Sequence, residues 1–170
     1  MRKLLTLAVP VMTAGAAHAG GIELTVEIPK LSVAEYHRPY VAIWIEDASG
    51  KVAANLSVWY DVDLKDDEGE KWLKDIRQWW RRTGRTLDMP MDGVSSPTKP
   101  PGVNKVTFSS DKGPLATLAP GDYKLIVEAS REVGGKELVE VPFKWTPGTE
   151  VTASAKGKEE LGAITLKTLK

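Results

Sequence analysis

Tyr40-Val-Ala-Ile-Trp-Ile-Glu-Asp-Ala-Ser-Gly-Lys-Val-Ala-Ala-Asn-Leu-Ser-Val-Trp-Tyr60 is the stretch on which the fold turns. Its first arm, residues 40–46, is built almost wholly of β-branched and aromatic side chains, which suit a pleated surface. Asp47-Ala-Ser-Gly50 has turn composition, and residues 51–60 return as a second arm, so the whole reads as a β-hairpin. Charge is nearly absent from the interior of both arms. An edge strand would carry lysines to discourage pairing with other chains, so these two are expected to be central strands covered on both faces. Trp44 and Trp59 are then expected in the core or at its rim.

On the N-terminal side, Ile22, Leu24, Val26 and Ile28 alternate with Glu23, Thr25 and Glu27 before Pro29. That period of two marks a half-buried strand, ended by a residue with no N–H for the ladder. Residues 30–39 are mixed in character and read as a connection. Further along, residues 104–109 form a short strand. Pro120-Gly121 opens residues 122–131, where Tyr123, Leu125, Val127 and Ala129 share one face; Gly134-Gly135 turns the chain and residues 136–145 come back. Two more short strands are expected at 150–156 and 161–167. Seven or eight strands at regular spacing predict an all-β fold, an antiparallel β-sandwich of immunoglobulin-like form with one inserted amphipathic helix.

The helix is expected over residues 71–82. Trp72, Leu73, Ile76, Trp79 and Trp80 fall at i, i+1, i+4, i+7 and i+8, one face of a 3.6-residue period. Acidic residues precede it, Arg81 and Arg82 close it, and Gly84 is placed for a left-handed stop. The aromatic face is expected to pack over the sheet, with an exposed ligand platform as the alternative.

Residues 1–19 have the three parts of a secretory signal: Arg2 and Lys3, an apolar run from Leu4 to Ala17, and Ala17-His18-Ala19 as a small-x-small cleavage site. The run is shorter than the ~20 residues that span a bilayer, so the expectation is a cleaved signal peptide at 1–19, a single domain at 20–170 without a transmembrane segment, and a periplasmic location. Removing Arg2 and Lys3 leaves 21 basic against 23 acidic residues, a formal charge of −2. That balance argues against nucleic acid as a partner. With no cysteine in the sequence, disulfides, thiolate zinc sites and iron–sulfur clusters are excluded.

Asp92-Gly-Val-Ser-Ser-Pro-Thr-Lys-Pro-Pro-Gly102 carries a special residue at nearly every position and no apolar period. Glycines supply backbone freedom, prolines remove it, and Ser95, Ser96 and Thr98 offer hydroxyls beside the Asp92 carboxylate, so it reads as a shaped loop and the candidate site. Elsewhere, His37 stands alone after the signal segment and no serine sits in a Gly-x-Ser-x-Gly elbow, which leaves a hydrolase triad without its parts. Asp61, Asp63, Asp66 and Asp67 lack EF-hand spacing and read as a solvated acidic turn, so no metal site is expected.

Residues 40–47, Val58-Trp59, Trp72, Leu73 and Trp79, the 92–102 loop and Pro120-Gly-Asp-Tyr-Lys-Leu-Ile-Val-Glu128 together resemble the periplasmic family catalogued as domain of unknown function 2271. The resemblance implies an exported sandwich-like domain in the neighbourhood of flavin-modification and membrane redox systems, with no established reaction. The loop also resembles the Asp-Gly-x-Ser/Thr-Gly-Ala-Thr motif of exported flavoproteins, whose last threonine carries FMN through a phosphoester made by a flavin transferase. Asp92, Gly93, Ser95 and Thr98 match it; Ser96 and Pro97 depart from its Gly and Ala. That resemblance implies Thr98 as the attachment residue, with Asp92, Gly93, Ser95 and Ser96 as its recognition context. The leading expectation is a non-enzymatic interaction module serving a membrane redox or metal-related system, with a periplasmic or inner-membrane protein as partner. A covalent FMN carrier comes second and a hydrolase third.

Overall fold

The computed structural model describes residues 20–170; the expected signal peptide, residues 1–19, lies outside the described residues. The described residues form nine strands in order: β1 (Gly21–Ile28), β2 (Tyr40–Asp47), β3 (Val52–Tyr60), β4 (Ser95–Pro97), β5 (Gly102–Ser109), β6 (Gly121–Ser130), β7 (Lys136–Trp145), β8 (Thr152–Lys156) and β9 (Ala163–Leu169). They form two sheets, ordered β5-β1-β9-β8 and β4-β3-β2-β6-β7. Every pairing is antiparallel except that of β4, which joins β3 in parallel. The result is the expected β-sandwich with little helix.

The main core lies between the sheets. Ile22, Leu24 and Val26 of β1 face Val41, Ile43 and Ile45 of β2 and Leu125 and Val127 of β6, all without exposed surface. The intervening residues of the second sheet are buried as well, because its outer face carries a second cluster: Ala42, Trp44, Val58, Tyr60 and Ile126 lie under Leu73, Ile76 and Trp79. This explains the uncharged arms of the 40–60 hairpin. β2 is central, with β3 on one side and β6 on the other, and both of its faces are covered.

The segment that covers the outer face differs from the single α-helix expected at 71–82. Residues Lys65–Asp75 wind as a 3-10 helix interrupted by left-handed Asp66 and Asp67, Ile76 breaks the winding, and only Arg77–Arg82 (α1) is α-helical. The break at Ile76 changes the register between the two windings, so no single helical face runs through residues 71–82: Leu73, Ile76 and Trp79 are buried, Trp80 is half-buried, and Trp72 turns outward with 53% of its surface exposed. Gly84 also has a different role from the one expected. It has no left-handed backbone; a Cβ there would come within 2.6 Å of the Trp79 ring, so the glycine makes room for the indole.

Five polar contacts fix this layer to the sheet. The Glu128 carboxylate of β6 accepts from the backbone N–H groups of Gln78 and Trp79 at 3.0 and 2.9 Å. Trp79 Nε1 donates to Asn55 Oδ1 at 2.9 Å. Arg82 reaches the buried Glu46 at 3.0 Å and the Gly50 carbonyl at the same distance, tying the end of α1 to the β2–β3 turn.

Candidate functional site

Strand order brings five chain ends together. β2 begins, β3, β4 and β6 end, and β7 begins at one end of the second sheet. Around that end lies a cleft of about 710 Å³, lined among others by Tyr36, Tyr40, Asp61, Trp72, Thr98 and Arg131. The volume is in the range of small-molecule sites, ~300–1,000 Å³. No two of these six residues belong to the same stretch except Tyr36 and Tyr40, so the cleft is a product of topology.

The 92–102 stretch forms one wall and is less loop-like than its composition suggests. Gly93 takes the left-handed turn with φ +70°, Val94 enters the outer cluster, and Ser95–Pro97 becomes the short parallel edge strand. Ser95 Oγ accepts from the Met91 N–H at 2.9 Å, and the Val58 N–H donates to the Val94 carbonyl at 2.8 Å. Asp92 and Gly93 are exposed, Ser95 and Ser96 half-buried. Thr98 is only 9% exposed; its N–H donates to the Tyr60 carbonyl at 3.2 Å and its hydroxyl to Asp61 Oδ1 at 3.3 Å. The signal for this tighter arrangement is Val94, an apolar residue between two turn residues that anchors the stretch to the sheet.

Asp61 follows directly on β3 and also accepts from the Tyr40 hydroxyl at 3.4 Å. Burial, with the nearby Asp61 carboxylate, pushes the Tyr40 phenol up to about 12, so it remains a donor. Trp72 stands at the rim with Lys74 Nζ 5.6 Å from its ring centroid. Lys136 of β7 pairs with Asp75 across the cleft at 3.5 Å. His37 lies between Glu35 at 2.9 Å and Glu132 at 3.5 Å, so both ring nitrogens have carboxylate partners.

The floor is set by Arg131, which is 8% exposed. Its Nε and Nη2 donate to the two Glu160 oxygens at 2.9 and 3.0 Å, a bidentate pair joining β6 to the β8–β9 connection. The guanidinium lies over the Tyr36 ring, 5.9 Å to the centroid, and so close to Gly134 that a Cβ there would meet it. Sequence reasoning passes over Arg131, Glu160 and Tyr36 and reads Asp61 as part of a solvated acidic turn, because nothing in the chain order marks them as neighbours. Among the described residues no three metal-ligating side chains converge, and no helix is long and apolar enough to cross a membrane.

Residues 21–163 match the family described as "Predicted periplasmic protein (DUF2271)". No curated protein and no solved structure matches the chain.

Proposed function

The chain belongs to this predicted periplasmic protein family, and from that premise we propose that it works as a non-enzymatic interaction module of the periplasm, using the cleft at the end of the second sheet to engage a membrane redox or metal-related assembly. One observation carries this reading. Trp72 is 53% exposed on the rim of a formed cleft while Leu73, Ile76 and Trp79 of the same segment are buried. Large aromatic side chains that combine exposure with a rigid base are the usual anchors of protein interfaces. The partner is a periplasmic or inner-membrane protein, the setting that the sequence resemblance implies. A photo-reactive amino acid placed at Trp72 in the native host tests this, with Lys105 of β5, on the other sheet, as the control position. A defined adduct from position 72 that is missing from position 105 is the expected result. Equal adducts from both positions, or none from either, remove the reading.

A second reading, a covalent FMN carrier, is favoured by the position of Thr98. Its hydroxyl is on the cleft wall and donates to Asp61, a carboxylate that can take up the proton. A flavin transferase would form the bond between Thr98 Oγ1 and the FMN phosphorus, break the pyrophosphate of FAD and release AMP. FMN would supply one- and two-electron redox chemistry, while the chain supplied position and surroundings. The residues fit such a group to this extent: the cleft has ligand-site volume and Tyr40 and Trp72 offer aromatic surface. Because Thr98 is 9% exposed, the transferase must displace the Thr98–Asp61 contact to reach the oxygen. Mass spectrometry of protein made together with its host's transferase decides the matter, with Thr98→Ala as the blank. An unmodified mass beside a modified control protein ends this reading.

A further inference from the structure

Two buried polar atoms of residues lining the cleft, Arg131 Nη1 and the Tyr36 hydroxyl, have no hydrogen-bond partner among the described residues. Such groups cost free energy when left unpaired, and native structures hold few of them. The guanidinium is planar. With Nε and Nη2 engaged by Glu160, Nη1 is on the edge turned away from that carboxylate. Arg131 lines this cleft and also borders a second, of about 530 Å³, whose lining includes Glu160. Burial raises the Tyr36 phenol above its ordinary range, against the pull of Arg131, and keeps it protonated as a donor.

The geometry points to a carboxylate-recognition site in which Arg131 Nη1 and the Tyr36 hydroxyl donate to one carboxylate, and Trp72 and Tyr40 hold a flat aromatic group attached to it. Both donors are N–H or O–H, so an acceptor is required. A guanidinium and a phenol together suit an ionised oxygen pair better than a lone carbonyl. Arg38, exposed and without an ion-pair partner among the described residues, adds a further positive charge to the same lining. The turn above the guanidinium is its movable side. Val133 holds a left-handed φ of +50° that β-branched residues avoid, is 78% exposed, and is followed by Gly134 and Gly135. A small shift of this turn opens Nη1 to an incoming oxygen. The aromatic carboxylate can be a free small molecule or the C-terminal residue of a partner chain. The inference rests on the use of this cleft proposed above and names the chemistry that it recognises.

The experiment titrates the full-length mature protein with indole-3-acetate and with the peptide Gly-Gly-Trp, each against its carboxamide, by calorimetry and by the side-chain N–H resonances of Trp72 and Arg131. The acids are expected to bind at least tenfold tighter than the amides, since a charge-assisted hydrogen bond is lost in the amide. Tyr36→Phe removes only a hydroxyl that bonds to nothing, so it should leave the unliganded fold as stable as before or more so, yet weaken the acids about tenfold. Trp72→Ala should weaken acids and amides alike. Tighter binding of indole-3-acetate assigns the site to a small molecule, and tighter binding of the peptide assigns it to a partner's C-terminus; either supports the inference. Equal affinity for acid and amide, no saturable binding of either acid, or an unchanged affinity in Tyr36→Phe overturns it. If Trp72 still crosslinks a partner in that event, the interaction module stands and only the carboxylate chemistry falls; if it does not, both fall together.

Discussion

Trp72 and Trp79 show how much one residue of register decides. Both belong to the aromatic stripe expected of a single α-helix, yet Trp79 has no exposed surface and donates to Asn55, whereas Trp72 is 53% exposed at the cleft rim. Truncating a fully buried indole removes its contacts and leaves a cavity, so Trp79→Ala should cost about 3–5 kcal/mol. Trp72→Ala should change stability by less than about 1 kcal/mol, as surface substitutions do. Urea denaturation of the two variants checks this, and a large loss in Trp72→Ala would mean that the outer layer packs differently. The sequence marks the stripe correctly as aromatic and amphipathic. It does not show that the winding breaks at Ile76, which separates the 3-10 segment from α1 and turns Trp72 out of the stripe while Leu73, Ile76 and Trp79 stay in it. The same segment holds left-handed Asp66 and Asp67 and approaches β3 closely at Gly69, where a Cβ would meet the Asp61 carbonyl, and no apolar period marks either feature.

Between elements, two carboxylates, the buried Glu128 and the half-buried Glu137, act as fasteners and respond to pH in opposite directions. Burial would push Glu137 of β7 up, but it accepts the N–H groups of Lys158, Glu159, Glu160 and Leu161, which together hold its carboxyl below the ordinary glutamate range. A folded-state value below the unfolded one gives stability that is complete above the unfolded value, about 4.3, and is lost as pH falls through the folded one. Glu128 is the reverse. Burial raises it despite the Gln78 and Trp79 N–H groups, so its contribution is complete below the unfolded value and declines as pH rises through the raised folded value. Urea midpoints of the wild type, Glu137→Gln and Glu128→Gln across about pH 3 to 8 separate the two. The wild-type advantage over Glu137→Gln should shrink toward acid, and that over Glu128→Gln should shrink toward neutrality; the opposite trend in either pair would show that the fastener is not in place. Strand periods alone predict β1, β2, β3, β6 and β7 close to their observed limits. These fasteners, and the parallel addition of β4, are not legible, since each joins residues from different stretches through backbone groups that every residue carries.

At the scale of the molecule, the cleft has one wall of deeply buried, doubly paired strand and one of short edge and turn segments, and this follows from strand order. β2 pairs with β6 over its whole length, from Tyr40 to Asp47, and with β3 on the other side. Val41 to Ile45 have no exposed surface because the sandwich core covers one face and the 3-10 and α1 layer the other. The opposite wall is β4, three residues long on the edge of the sheet, together with the 3-10 segment that presents Trp72 and the β6–β7 turn that presents Val133. Tyr36, Asp61, Trp72, Thr98 and Arg131 come together only because β2, β3, β4 and β6 are neighbours, and neighbour order across a sheet is absent from the hydrophobic period of any single strand; the loop at 92–102 is therefore legible as special while the cleft it borders is not. The two walls should exchange amide hydrogens by different routes. Amides of β2 have no local opening available, so their exchange free energies should equal the global unfolding free energy from urea and fall with denaturant at the same slope. Amides in β4, the 3-10 segment and the β6–β7 turn should exchange at lower free energies with little denaturant dependence, because each can open without disturbing the core. If β4 and the turn were as protected as β2, the cleft would be a fixed cavity and its buried donors at Arg131 and Tyr36 would stay closed to any ligand. Protection that is high in β2 and low in these three segments would mean that the cleft opens from its edge and turn side while the strand ends beneath it hold their positions.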